Sequence, residues 1–201
     1  QNENINPDYF QSLAERFKGL SERCVSPGVA FDACHANREI LQHYAMPDRR
    51  YHNLNHLRQC LEQFDLARQL IPTPDVVEMA LWFHDVIYVP GASDNESRSA
   101  EFFLDLVSSV FPTEFCYKVV TLILATTHKV IPTDLDACYT VDIDLSSFGF
   151  EWQDFLIDSD HLRQERMDLP DVAYFEAHTR FLNILRARQR IFQTDFFYQR
   201  Y

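Results

Sequence analysis

Only four glycines occur in the 201 residues of this chain, Gly19, Gly28, Gly91 and Gly149. Sandwiches and barrels turn their strands on residues that tolerate positive φ, and a loop that cradles phosphate needs several glycines close together. Four scattered glycines supply neither, so the chain is expected to be helical. Prolines carry the punctuation instead. Nine of them divide the sequence, and apolar residues recur at helical spacing between most of them. Phe10, Leu13, Ala14, Phe17 and Leu20 predict an amphipathic helix after Pro7. Phe31, Cys34, Ile40, Leu41 and Tyr44 predict a second, which stops before Pro47. Leu57, Cys60, Leu61, Phe64, Ala67, Leu70 and Ile71 mark a third, closed by Pro72-Thr73-Pro74. Further helices are predicted over 76–88, 100–111, 115–127, 155–167 and 172–192. The β-branched segment Tyr139–Asp144 is read as a short strand.

A chain of this length can bury a real core, and the sequence has no internal repeat, low-complexity tract or linker, so residues 1–201 are expected to form one helical domain. Hydrophobic residues at 46% and aromatic residues at 14% fit a folded globule rather than a disordered chain. The formal charge of −12 argues against a nucleic-acid polymer as partner, because phosphate backbones need a basic surface. A small anionic substrate would need a local cationic focus such as a metal ion. Five cysteines, odd in number and without a C-x-x-C pair, and the lack of a visible secretory leader predict free thiols in the cytoplasm. No stretch reaches the ~20 apolar residues of a membrane span.

Four polar pieces interrupt the apolar pattern. In Arg50-Tyr51-His52-Asn53-Leu54-Asn55-His56 two histidines stand four apart, which on a helix puts them on one face. Trp82-Phe83-His84-Asp85-Val86-Ile87-Tyr88 holds a His–Asp pair inside an apolar run, where unpaired polar groups are costly. The third piece is Asp94-Asn95-Glu96-Ser97-Arg98-Ser99-Ala100, and the fourth is Thr126-Thr127-His128-Lys129 with Val141-Asp142-Ile143-Asp144-Leu145. Taken singly, each has a plainer explanation. A His–Asp dipeptide arises by chance, Ser93 with Glu96 fits a capping box, His128 suits a helix end and Asp144 suits an N-cap. Their joint occurrence in this order favours a site instead. Imidazoles with carboxylates form a mixed N/O donor set suited to Mn, Fe, Co, Ni, Zn or Mg rather than to a closed structural zinc site.

The order His56, His84–Asp85, Asp144 resembles that of the HD superfamily of metal-dependent phosphohydrolases. More narrowly, Tyr51-His52-Asn53-x-x-His56, Trp82-Phe83-His84-Asp85-x-x-Tyr88, Asp94-Asn95-Glu96-x-x-Ser99-Ala100 and Asp142-x-Asp144-Leu145 are similar to those of the bacterial predicted metal-dependent HD phosphohydrolases, over roughly residues 47–192. The histidine motif and the Asp144-Leu145-Ser146 run also resemble those of cyclic-nucleotide phosphodiesterases, although Val86-Ile87-Tyr88 do not match the further metal-site residues of those enzymes. The resemblance implies an all-α HD-domain helical bundle, continued beyond Tyr201 by a charged helix.

It further implies one or two divalent ions held by His56, His84, Asp85 and Asp144, and His52 as general acid. Glu96 and His128 are candidates for base, second-ion ligand or orienting group. Arg50, Lys129 and Arg163 are candidate phosphate-binding cations, although surface salt bridges explain each more simply. The expected activity is hydrolysis of a phosphate ester or anhydride, on a nucleotide or small phosphorylated metabolite; a homodimer is an allowed assembly. Two other readings stay open. One is a degenerate HD domain that binds metal or nucleotide and regulates without turnover. The other is an HD-type di-iron oxygenase, for which His128 is the one spare histidine in a family-like setting.

Overall fold

The computed structural model describes residues 7–201. Among these, ten α-helices follow one another: α1 (Pro7–Cys24), α2 (Ala33–Tyr44), α3 (Leu54–Ala67), α4 (Pro74–Phe83), α5 (Asn95–Val107), α6 (Thr113–Ala125), α7 (Leu135–Asp144), α8 (Trp152–Gln164), α9 (Asp171–Arg186) and α10 (Asp195–Arg200). Short 3₁₀ turns lie at Arg68–Leu70 and Leu145–Gly149, and no strand occurs among the described residues. The all-helical architecture expected from the glycine count is therefore present. No helix among the described residues is long and apolar enough to cross a membrane.

α4 is the axis of the bundle. Every residue from Val76 to Phe83 is buried, so the helix has no solvent face and must be surrounded. α1, α3, α6 and α7 pack around it, α5 backs α6, and α2 lies against α1. One apolar cluster runs from Leu13, Phe17 and Leu20 in α1 through Leu57, Phe64, Trp82, Phe83, Phe103 and Ile123 to Phe197 in α10. Edge-to-face contacts of Phe17 with Trp82 at 5.1 Å and of Phe83 with Phe103 at 5.0 Å fix ring orientations within it. Glu78 is the one charged residue of the buried α4 run, and Arg16 meets it at 2.6 Å. Without that partner the carboxylate would be a stranded charge costing several kcal/mol.

Two expectations from the sequence are overturned. The segment Tyr139–Asp144 is the second half of α7 and not a strand. Asp134 caps this helix by accepting from the Ala137 amide, and nearly the whole of it is buried, so its β-branched residues report an all-round apolar environment. The helix expected over 76–88 stops at Phe83. Beyond it the chain is taken over by Arg49, whose guanidinium donates to the carbonyls of Asp85 (2.6 Å) and Val86 (2.8 Å). Those bonds hold His84 and Asp85 at the end of α4 rather than along it. α8 and α9 lie at the edge of the core: α8 buries none of its residues, and α9 only Tyr174 and Leu185, the latter joining the apolar cluster.

Candidate metal centre

Three helix ends converge on one polar point. Asn53 caps α3 by accepting from the Asn55 amide, which places His56 in the first turn, 4% exposed. His84 follows the last residue of α4 and is 1% exposed. Its Nδ1 donates to the carbonyl of Leu81 at 2.8 Å; because a carbonyl can only accept, Nδ1 carries the proton and Nε2 presents its lone pair. Asp85 comes next in the chain, and Asp144 closes α7.

Both imidazole nitrogens lie at nearly the same distance from each other and from the two carboxylates. His56 Nε2 lies 3.2 Å from His84 Nε2, 3.4 Å from Asp85 Oδ2 and 3.2 Å from Asp144 Oδ1. His84 Nε2 lies 3.1 Å from Asp85 Oδ2 and 3.4 Å from Asp144 Oδ1. Donors bound at about 2.0–2.1 Å to one ion are separated by roughly 3.3–3.4 Å in a tetrahedral array and roughly 2.8–3.0 Å at right angles. The observed separations fall at that spacing, so the residues present fit a single divalent ion. Burial works against charge on both imidazoles, yet Asp85, Asp144, Cys60 and Tyr51 pull them well above the ordinary histidine value. Burial likewise works against charge on the two carboxylates, and the facing imidazoles hold them well below theirs. Two shielded carboxylates thus demand positive charge, supplied by protons on the rings or by a cation between them.

A second grouping overlaps the first. Cys60, one turn after His56, joins His56, His84 and Asp144 in a set of donor atoms within 4.8 Å of one another. Its Sγ is 3.7 Å from His56 Nε2 and 4.0 Å from Nδ1, nearly equidistant from both nitrogens. That places the sulfur beside the ring rather than in front of the Nε2 lone pair. Asp85 Oδ2, at 3.4 Å, lies closer to His56 Nε2 than the sulfur does.

Around the quartet stand residues that orient it. His128 Nε2 meets Asp144 Oδ2 at 2.7 Å, leaving Oδ1 to face the imidazoles. His128 has a φ of 54°, the one non-glycine residue with positive φ among those described, and Arg188 donates to its carbonyl. Glu165 does the same service for His52. One oxygen of Glu165 accepts from the amides of Arg50, Tyr51 and His52 at 2.8, 2.8 and 2.9 Å, and the other meets His52 Nδ1 at 2.6 Å. Burial acts to raise this carboxyl, but the His52 ring and the amide donors outweigh it and hold the pKa below the ordinary value. His52 also stacks on Tyr88, with ring centroids 3.9 Å apart. The third motif acts as a latch: Asn95 Oδ1 accepts from the Val89 amide, and Ser99 Oγ bonds the amide and carbonyl of Ile87, tying down the loop after Asp85.

A cavity of about 300 Å³ opens beside the quartet. Asp85, Asp144, His52, Glu96 and His128 reach its wall, with Phe148, Phe155, Leu162 and Phe181 on the apolar side. The sequence-predicted ligands and the catalytic candidates are therefore brought together. The predicted cations are not. No Lys or Arg lines this cavity. Arg163 spends its guanidinium on the carbonyls of Arg166 and Leu169 and on Asp171, and Lys129 is exposed on the surface. Arg50 borders a neighbouring cavity that touches His56. Three smaller readings also change. His52 precedes the cap of α3, so the two histidines do not share a helical face; Ser93 forms no capping box, because Asp94 is the N-cap and makes no side-chain cap bond; and Asp144 ends a helix rather than starting one. Arg49, Glu165 and Cys60, and Asp158 on the cavity wall, were not legible as site residues.

The Glu165 geometry has a pH consequence. A carboxyl whose pKa is depressed by folding contributes stability that is present above its unfolded value and is lost as the pH falls through the folded one. The stability difference between the wild type and Glu165→Gln should therefore shrink as the pH falls from about 6 to about 3. Urea unfolding at each pH measures it, and a difference that stays constant contradicts the assignment. Compared with known proteins, the chain is matched by no family model, by no curated protein and by no solved structure.

Proposed function

We propose that this protein is a metal-dependent phosphohydrolase. The observation that carries the reading is the approach of the His56 and His84 Nε2 atoms to each other and to Asp85 and Asp144 at 3.1–3.4 Å, beside a cavity whose wall carries Asp85, Asp144 and His52. The resemblance of the motif order to HD phosphohydrolases supports it. His56, His84, Asp85 and Asp144 would hold the ion, with His128 fixing the carboxylate of Asp144. A divalent ion in such a place offsets charge on phosphoryl oxygens and makes a water acidic enough to act near neutral pH.

The chain's own groups handle the protons. Glu165 can only accept at His52 Nδ1, so that nitrogen is a donor, and Nε2 is left to deliver a proton to the departing ester oxygen. Tyr88 stacked on the ring prevents it from swinging away. The cavity also bears on the substrate. With no Lys or Arg on its wall and several carboxylates there, it disfavours di- and triphosphates, whose added charges would lack partners. Phe148, Phe155, Leu162 and Phe181 suit a planar, largely apolar alcohol carrying one phosphoryl group. His128, on which a di-iron oxygenase would have to draw, already spends Nε2 on Asp144.

The test is turnover of a panel of phosphate esters by protein loaded with Mn, Co, Ni, Mg or Zn, before and after chelation. Hydrolysis that disappears with the ion and returns when the ion is restored is the expected result. Turnover that persists in metal-free protein sinks the reading, and metal binding without any turnover leaves a regulatory module in its place.

A further inference from the structure

Asp158, in the middle of α8, has no structural occupation. Its Oδ2 is shielded from solvent and has no hydrogen-bond partner among the described residues. A carboxylate oxygen in that condition is costly, and a fold that needed only a spacer there would be more stable with a neutral side chain. The other acids near the quartet are accounted for. Asp85 and Asp144 face the imidazoles, and Glu165 holds His52. Glu96 stands in the first turn of α5, where the helix dipole favours a negative charge.

The placement of Asp158 is specific. It lies on the wall shared by the aromatic cavity and the neighbouring cavity that touches His56, with Tyr51 also common to both. It is close enough to His56 and Tyr51 for charge on each to be felt by the other. Resting on the phosphohydrolase reading above, we propose that Asp158 holds the attacking water at the cavity wall and takes its proton. The water oxygen forms the new bond to phosphorus as its proton passes to the Asp158 carboxylate. The bond from phosphorus to the ester oxygen breaks with its electron pair on that oxygen, which takes the proton from His52 Nε2. Asp158 then loses its proton to solvent and His52 regains one, so the net change is ester plus water to phosphate plus alcohol. Burial raises the carboxyl from its ordinary value, in the direction that makes it a better base near neutral pH.

Asp158→Asn keeps the shape and removes the base. Metal content should be unchanged, and the thermal midpoint unchanged or higher, since a carboxylate oxygen shielded from solvent and without a partner is gone. Inorganic phosphate, titrated calorimetrically into the metal-loaded protein, should bind about three- to tenfold more tightly without the facing carboxylate. Turnover should fall by about 10²–10⁴-fold, equally for esters with poor and good leaving groups, because the lost proton transfer is from water and not to the leaving oxygen. Loss of metal, a lower midpoint, unchanged phosphate affinity, or turnover within threefold of wild type overturns the assignment. A wild type that hydrolyses no ester brings down the phosphohydrolase reading and this role with it. Hydrolysis by wild type and variant alike removes Asp158 alone.

Discussion

Replacing His52 with alanine is expected to leave the metal bound and to lower turnover of an ordinary alkyl ester by about 10²–10⁴-fold, the usual contribution of a general acid. Replacing His56, four residues later, should remove the metal itself. The two side chains are chemically identical, and their surroundings separate them. His56 Nε2 points at three other donors at 3.2–3.4 Å, whereas His52 is bound through Nδ1 to Glu165 and meets the four only through an edge-to-face ring contact with His56. If His52 gives its proton to the leaving oxygen, an ester of p-nitrophenol needs that proton far less, and the loss in His52→Ala should shrink on it. Metal content measured beside turnover of a poor and a good leaving group decides the matter. Loss of metal in His52→Ala, or an equal small loss on both esters, means the roles are assigned wrongly.

His84→Ala should abolish both bound metal and hydrolysis, and the loss should appear in stability as well as in activity. A ligand that binds only the folded state stabilises it by RT ln(1 + [L]/Kd), about 2.7 kcal/mol at a hundredfold excess over Kd. In a chain of this size that corresponds to a rise of roughly 5–10 °C in Tm when the ion is added. His84→Ala and Asp85→Ala should show no such rise, because each removes one of the four proposed donors. Calorimetric scans with and without Mn or Zn give the answer. A midpoint in His84→Ala that still responds to the ion as wild type does would place the metal elsewhere.

Of the candidate ligands, His84 and Asp85 were legible because they sit inside an apolar run, where a polar residue demands a reason, while His56 and Asp144 joined them through the resemblance of the motif order to HD phosphohydrolases. Glu165 was not, since it lies 113 residues beyond His52 in a stretch of ordinary surface composition, and only the folded chain brings them together. Arg49 was hidden for a different reason. It is one of two adjacent arginines, and the sequence does not reveal which of them turns inward to the carbonyls after α4 and which stays exposed. The misread strand at Tyr139–Asp144 follows from the same blindness to burial. Val141 and Ile143 favour a strand by local preference, but α7 is enclosed on nearly all sides and packing decides. Cys60 counted only as a core position in the third helix, although its spacing from His56 was the available clue.

The seating of α8 separates two capacities of the molecule. His56 and Asp144 belong to helices that make the core and His84 and Asp85 follow directly on a third, so the proposed ion site is tied to global folding. Asp158 lies on α8 and Glu165 immediately follows it, yet no residue of that helix is buried. Elements so lightly anchored open at a fraction of the free energy needed to unfold a domain. On the proposed function, the groups that would move protons therefore rest on a rim of lower local stability than those that would bind the ion, and the rim can be remodelled by mutation while the core stays intact.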